Sequence, residues 1–157
     1  MTAALQIRWA CRDDFDVLGE VMFDAVRTGE SPYGEAQRAA WVPAPRSGAE
    51  WNARLAGQDV ILGDAGTRIL GFMSLADGGY IDFAFIRPSA RRTGLFRTLF
   101  DSIAERARSR AVERLWVHAS LMAEPAFAAM GFRVTCRETV RMGGECLDRC
   151  EMEKMLS

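Results

Sequence analysis

The sequence predicts an α/β protein built on a mixed, mainly antiparallel sheet. Three observations carry that prediction. Three short apolar strands succeed one another between residues 59 and 86 with hairpin signals between them, a strand–loop–helix unit follows, and the chain ends in two strands joined at Gly143-Gly144. At 157 residues the chain is read as one domain, residues 1–157, with enough length to bury a sizeable core.

Leu5 to Ala10 reads as a short strand, and Asp13 or Asp14 caps a helix whose apolar residues Leu18, Val21, Met22 and Ala25 recur at helical spacing. Gly29 and Pro32 close it. Tyr33 to Trp41 reads as a second helix ended by Pro43 and Pro45, and Ala49 to Leu55 as a short third. The period then changes. Asp59 to Leu62, Arg68 to Ala76 and Tyr80 to Ile86 read as strands separated by Asp64-Ala65-Gly66 and Asp77-Gly78-Gly79, an antiparallel meander. Arg87-Pro88 stops the last of them, and Gly94 opens an amphipathic helix with Leu95, Phe96, Leu99, Phe100, Ile103 and Ala107 on one side. Leu115 to Ser120 is a further strand, and Ala123 to Met130 a short helix ending at Gly131.

Composition narrows the chemistry. With 49% hydrophobic and 26% charged residues and a formal charge of −1, the chain has no general attraction for nucleic acid or anionic lipid. No stretch free of charges approaches the roughly 20 residues of a membrane span, and no signal peptide is read at the start, so a cytoplasmic protein is expected. Cys11, Cys136, Cys146 and Cys150 are then expected as buried thiols, with Cys146 and Cys150 on one strand face and Cys136 across the hairpin. With His118 as the single histidine, no metal site is expected. Lys154 is the only lysine among 20 cationic residues, so arginine must do the cationic chemistry. Arg106, Arg108, Arg110 and Arg114 are read as a solvated helix end and not a nucleic-acid site.

Cations do cluster at one junction, Arg87-Pro88-Ser89-Ala90-Arg91-Arg92-Thr93-Gly94-Leu95-Phe96-Arg97. A loop entering a helix N-terminus offers unpaired backbone N–H groups and positive partial charge, and the four arginines add donors for phosphate oxygens. This stretch resembles the pyrophosphate loop of the GNAT superfamily of acetyl-CoA-dependent N-acetyltransferases, usually Gln/Arg-x-x-Gly-x-Gly/Ala. Arg91 and Gly94 match, and Phe96 replaces the last small residue. Downstream, Ser120-Leu121-Met122-Ala123 through Phe127 to Gly131-Phe132 is similar to the superfamily's later motif, matching at Ala123, Gly131 and Phe132. Ser120 stands where Asn is common. Phe127 stands where a tyrosine often protonates the departing thiolate, and a phenyl ring has no proton to give. The segments Tyr33-x-x-x-Gln37-x-x-x-Trp41 and Gly79-Tyr80-Ile81-Asp82, with the tail from Gly143 to Met155, are similar to a YafP-like bacterial branch.

The resemblance implies a sheet of about seven strands flanked by four or five helices. It also implies acetyl transfer from acetyl-CoA to a primary amine of a small molecule by direct attack in a ternary complex. Main-chain groups at Phe85, Ile86 and Arg87 would align the thioester, residues Arg91, Arg92, Thr93, Gly94, Leu95, Phe96 and Arg97 would hold the pyrophosphate, and Ser120 and Phe127 would line the coenzyme. Family members are often homodimers.

The residues themselves suggest the acceptor side. Spacings of four align Tyr33, Gln37 and Trp41 on one helical face, offering a phenol, an amide and an apolar plate, or else a helix packed by Trp41. Asp82, on a strand of apolar residues, is expected either as a base that takes the amine's proton or in an ion pair with an arginine. His118 carries the side chain best suited to proton transfer near neutrality, against a packing role, and Tyr33 would have to reach in as the acid. The other function class that fits is an acyl-CoA-binding sensor or interaction domain without turnover, suggested by Phe96 and Phe127. A nucleotide-binding loop is remote, since no Gly-Lys-Ser/Thr triplet is present.

Overall fold

Alternation along the strands divides the apolar residues between two faces of one sheet, and helices cover both. The computed structural model describes residues 4–156. The strands are β1 (Gln6–Trp9), β2 (Asp59–Asp64), β3 (Ile69–Ala76), β4 (Tyr80–Ile86), β5 (Arg114–Ser120), β6 (Arg133–Met142) and β7 (Glu145–Met155). The helices are α1 (Phe15–Arg27), α2 (Glu35–Trp41), α3 (Ala49–Ala56), α4 (Leu95–Ser109) and α5 (Glu124–Ala129). The seven strands lie in the order β1-β2-β3-β4-β5-β7-β6, antiparallel throughout except where β4 meets β5.

Neighbours along a strand take opposite sides. Ile61 and Met73 pack with Leu99 and Ile103 of α4, while Leu62 and Phe72 pack with Leu18 and Val21 of α1. β4 changes face partway. Leu75 opposes Ile81 but Met73 opposes Ala84, so β4 carries one extra residue, and the bulge turns Phe83 and Phe85 to the α1 side although Ile81 faces α4. Ser74, fully buried, accepts the Phe83 N–H on its hydroxyl at 3.0 Å and so satisfies the bulge.

The C-terminus of α1 is closed by two arginines from other elements. Arg38 of α2 donates to the carbonyls of Val26 and Gly29 at 2.5 and 3.0 Å, and Arg91 donates to those of Ala25 and Glu30 at 2.9 and 3.0 Å. Cations suit these orphan carbonyls. Gly19, inside α1, matters for another reason: a Cβ there would lie 1.9 Å from the carbonyl oxygen of Arg46. Only glycine lets the segment 43–48 cross the helix so closely, and that crossing places Arg46.

Four expectations need correction. The second helix begins at Glu35 and not Tyr33, because Gly34 is its N-cap and Gln37 reaches back to the Gly34 N–H at 2.7 Å. Only Cys150 is a buried thiol; Cys11, Cys136 and Cys146 are exposed. The β6 bulge sets Cys136 opposite Glu151 and Arg137 opposite Cys150, so Cys136 is on the face away from Cys150. Nor are the arginines at the end of α4 simply solvated. Arg106 and Arg110 both reach Asp59, Arg106 lies 3.8 Å over the Trp9 ring, and Arg114 binds Glu153 at 2.7 Å.

Candidate active site

β4 and β5 pair only at Tyr80–Trp116 and Ile81–Val117, after which they separate. The separation strips one edge of β4. The Arg87 N–H donates to Leu70 at 2.8 Å, so the alternation along an antiparallel strand turns the main-chain groups of Phe85 toward β3 as well. Those of Ala84 and Ile86 face the opening. Of Phe85, Ile86 and Arg87, it is therefore Ile86 whose backbone is free for a ligand, while Phe85 borders the cleft and packs its ring on the α1 side against Trp41 and Phe72.

A cleft of about 500 Å³ occupies this opening, bounded by β4, the loop entering α4 and the turn into α5. Arg91, Arg92, Gly94, Leu95, Phe96, Arg97 and Ser120 line it. Gly94 is the N-cap of α4 with φ +86, a left-handed conformation that glycine adopts without strain. Arg92 adopts φ +63, where a residue with a Cβ is strained. The walls are apolar toward Ala123, Ala126 and Met130, and the mouth is cationic.

The loop arginines divide by direction. Arg92 and Arg97 are exposed at the mouth. Arg91 also borders the cleft, but its guanidinium is held by the carbonyls of Ala25 in α1 and Glu30 just beyond it, and burial lowers its pKa below the ordinary arginine range. Arg87 does not border the cleft. Its guanidinium turns inward to the Ile69 carbonyl at 2.6 Å and Asp24 at 3.1 Å. Thr93 uses its hydroxyl on the Ala90 carbonyl at 2.6 Å. Phe127 is fully buried beneath the cleft, its ring 5.1 Å from Phe96 and 5.0 Å from Phe132. Phe96 packs against Phe127 in an edge-to-face contact and also borders the cleft. Ser120 accepts the Ala123 N–H at 3.1 Å, and its own proton remains available to the cleft.

On the α1 side of the same opening, a recess of about 60 Å³ is lined by Tyr33, Trp41, His118, Ser120, Leu147 and Arg149. The structure brings Tyr33, Trp41 and His118 together here. Tyr33 donates its hydroxyl proton to the Asp148 carbonyl at 2.5 Å and accepts the Leu121 N–H at 2.9 Å. Burial raises its pKa, so it serves as a fixed strut between β7 and the turn after β5. Gln37 likewise turns away, donating to the Cys146 carbonyl at 2.8 Å. Trp41 is the member of the trio that faces open space, edge-on to Tyr33 at 5.8 Å and 5.9 Å from Phe85.

Asp82 lies beyond, held on both oxygens. Arg54 of α3 binds it through two bonds of 2.8 and 2.6 Å, and Gln58 adds a third of 2.7 Å. Of the two expectations for Asp82, the ion pair is the one displayed. His118 meets a partner that spacing alone did not reveal. The Tyr80 hydroxyl lies 3.0 Å from its Nδ1, and Glu151 stands 3.9 Å from its Nε2. Burial, followed by the Asp82 charge, raises the Tyr80 pKa, so the phenol stays protonated. The signal that could have found Tyr80 was its register: on parallel strands, Tyr80 opposite Trp116 places His118 diagonally across. Among the described residues, no group of three or more His, Cys, Asp or Glu side chains is arranged to hold a metal, and no helix is long and apolar enough to cross a membrane.

Residues 30–155 match the family model described as an acetyltransferase (GNAT) domain. No curated protein matches the sequence. Among solved structures, a GCN5-related N-acetyltransferase from Rhodopseudomonas palustris is 28% identical and superposes with a TM-score of 0.89, over 99% of this chain and 98% of that one. Two others share the fold. A putative acetyltransferase from Salmonella typhimurium, solved with its cofactor acetyl-CoA, has a TM-score of 0.69 at 20% identity, over 99% and 95% of the two chains. An N-acetyltransferase from Thermoplasma acidophilum, in complex with coenzyme A, has a TM-score of 0.71 at 15% identity, over 98% and 99%.

Proposed function

The chain belongs to the family of GNAT acetyltransferase domains, and from that premise we propose that it transfers the acetyl group of acetyl-CoA to the primary amine of a small molecule in a ternary complex. The observation that carries the reading is the opening between β4 and β5, with the α4 N-terminus at its cationic mouth and a second, aromatic recess meeting it at Ser120. The cleft fits the coenzyme. Free backbone groups at Ala84 and Ile86 suit an amide-bearing arm, the apolar walls suit its methylenes, and the N–H groups after Gly94 with Arg92 and Arg97 suit a pyrophosphate. When bound, acetyl-CoA supplies an acetyl thioester to which an uncharged amine adds, leaving the CoA thiol.

His118 accepts the amine's proton in this account. With Nδ1 protonated and donating to the Tyr80 oxygen, Nε2 carries the lone pair, and Glu151 stabilises the imidazolium that forms. Tyr80 is a positioning residue, whose hydroxyl oxygen accepts the Nδ1–H of the tautomer that leaves Nε2 free. Asp82 neutralises Arg54 and leaves proton transfer to His118. The Ser120 hydroxyl offers its proton toward the departing sulfur, the task that Phe127 cannot perform. The YafP-like branch is supported by the Tyr33, Gln37 and Trp41 spacing, and four free thiols fit a reducing cytoplasm.

Thiol release measured across a panel of primary amines tests the reading. Amine-dependent CoA production that falls about 10²-fold in His118→Gln supports it. Saturable acetyl-CoA binding with no turnover on any amine would replace it with the acyl-CoA-binding function.

A further inference from the structure

A groove of about 480 Å³ lies between the end of α2, the segment 43–48 and α3, and Trp41 forms a wall both of it and of the recess that holds His118. Its side chains include Trp51, 4% exposed, and two guanidiniums, Arg46 and Arg54. Arg54 is satisfied by Asp82 through two hydrogen bonds. Arg46 is half-buried and makes no hydrogen bond or ion pair with any described residue. Burial disfavours its charge, the neighbouring Arg54 adds to that, and the Asp82 charge only partly offsets them. Glu50, exposed on α3, stands at the rim.

A guanidinium partly withdrawn from water with no anion beside it is disfavoured, and an incoming anion would relieve that cost. Its placement is built: Gly19 admits the Arg46 backbone against α1, and prolines at 43 and 45 stiffen the approach. We infer that Arg46 receives a carboxylate of the acceptor, and that the acceptor class is amines carrying a carboxylate on an aromatic or apolar body. A single free planar fork matches one carboxylate, which accepts two parallel N–H bonds. The aromatic walls of Trp41 and Trp51 cover the body between them, and the amine end reaches the recess where His118 and Ser120 meet. This inference rests on the proposed acetyl transfer and names its substrate class.

Paired probes test it, namely 4-(aminomethyl)benzoate against benzylamine and 4-(2-aminoethyl)benzoate against 2-phenylethylamine, each placing carboxylate and amine at opposite ends of an aromatic body, with wild type, Arg46→Met and Arg46→Lys. Binding is followed by tryptophan fluorescence and by calorimetry, with turnover by thiol release. The expected result is that in at least one pair the carboxylated member binds about tenfold or more tighter, that Arg46→Met abolishes this advantage without weakening the decarboxylated partner, and that Arg46→Lys restores part of it. Equal binding within both pairs, or a preference that survives Arg46→Met, overturns the inference. Arg46-dependent binding without turnover upholds the carboxylate site and overturns the acetyl-transfer reading; turnover confined to the decarboxylated amines does the reverse.

Discussion

Arg91→Ala separates two roles that the loop arginines could play. In wild type the guanidinium donates to the Ala25 carbonyl at 2.9 Å and the Glu30 carbonyl at 3.0 Å, tying the coenzyme loop to the end of α1. Hydrogen bonds from a charged donor contribute about 1.5–3 kcal/mol each, and with the group half-exposed the lower figure applies, so the pair is worth about 3 kcal/mol. For a domain of this size 1 kcal/mol moves Tm by about 2–4 °C, so Arg91→Ala lowers Tm by about 6–12 °C. Arg92→Gly behaves oppositely. It removes an exposed charge from the cleft mouth and relieves a left-handed residue, so Tm holds or rises by the few degrees that about 1 kcal/mol represents, while acetyl-CoA binding weakens. Melting followed by circular dichroism, with a calorimetric acetyl-CoA titration of each variant, reads both quantities. An Arg91→Ala protein with unchanged Tm and lost binding would rule out the tie to α1 and turn that guanidinium outward to the phosphates.

Thiol reactivity follows burial: Cys11, Cys136 and Cys146 are expected to alkylate readily at mild alkaline pH, while Cys150, pushed up to about 11 by burial and then by Glu124, stays unmodified until unfolding, as counted by mass spectrometry. Acid stability depends partly on Asp14, whose carboxyl the Arg8 guanidinium holds below its ordinary range through two bonds of 2.9 Å. Because the folded value is depressed, this contribution is complete above the unfolded-state pKa of about 3.9 and is lost as pH falls through the lower folded value, so Asp14→Asn flattens the acid limb of the Tm–pH curve. Tyr80→Phe is expected to lower kcat by roughly tenfold and to move the acid limb of the pH–rate profile with little change in the KM for acetyl-CoA. An unmoved profile would reduce Tyr80 to packing.

The order of elements was legible because each signal was local: the two turns around β3, the stop at Arg87-Pro88, the apolar stripe of α4 and Gly143-Gly144. The coenzyme loop was legible for the same reason, since a helix N-terminus and its arginines are contiguous in sequence. Directions were not. Arg87 and Arg91 sit among cations in sequence but face Asp24 and the α1 carbonyls, partners more than 60 residues away. Gln37 shares a helical face with Trp41 yet is drawn off by a β7 carbonyl. Tyr80 and His118 meet only because β4 and β5 run parallel, a pairing 38 residues apart that no local pattern encodes. The bulge between Ile81 and Ala84 was hidden as well, and it explains why Phe83 and Phe85 pack on the α1 side although Ile81 faces α4.

Calorimetric titration of acetyl-CoA into wild type and Gly94→Trp bears most directly on the central claim. Gly94 is exposed at the cleft mouth, and a Cβ there meets nothing within 4 Å, so the indole is tolerated apart from the strain of its left-handed φ and fills space the coenzyme needs. Saturable one-site binding to wild type is expected, with loss of that binding in Gly94→Trp and the fold retained by circular dichroism. Absence of binding to wild type, or equal binding to a folded Gly94→Trp, would contradict it.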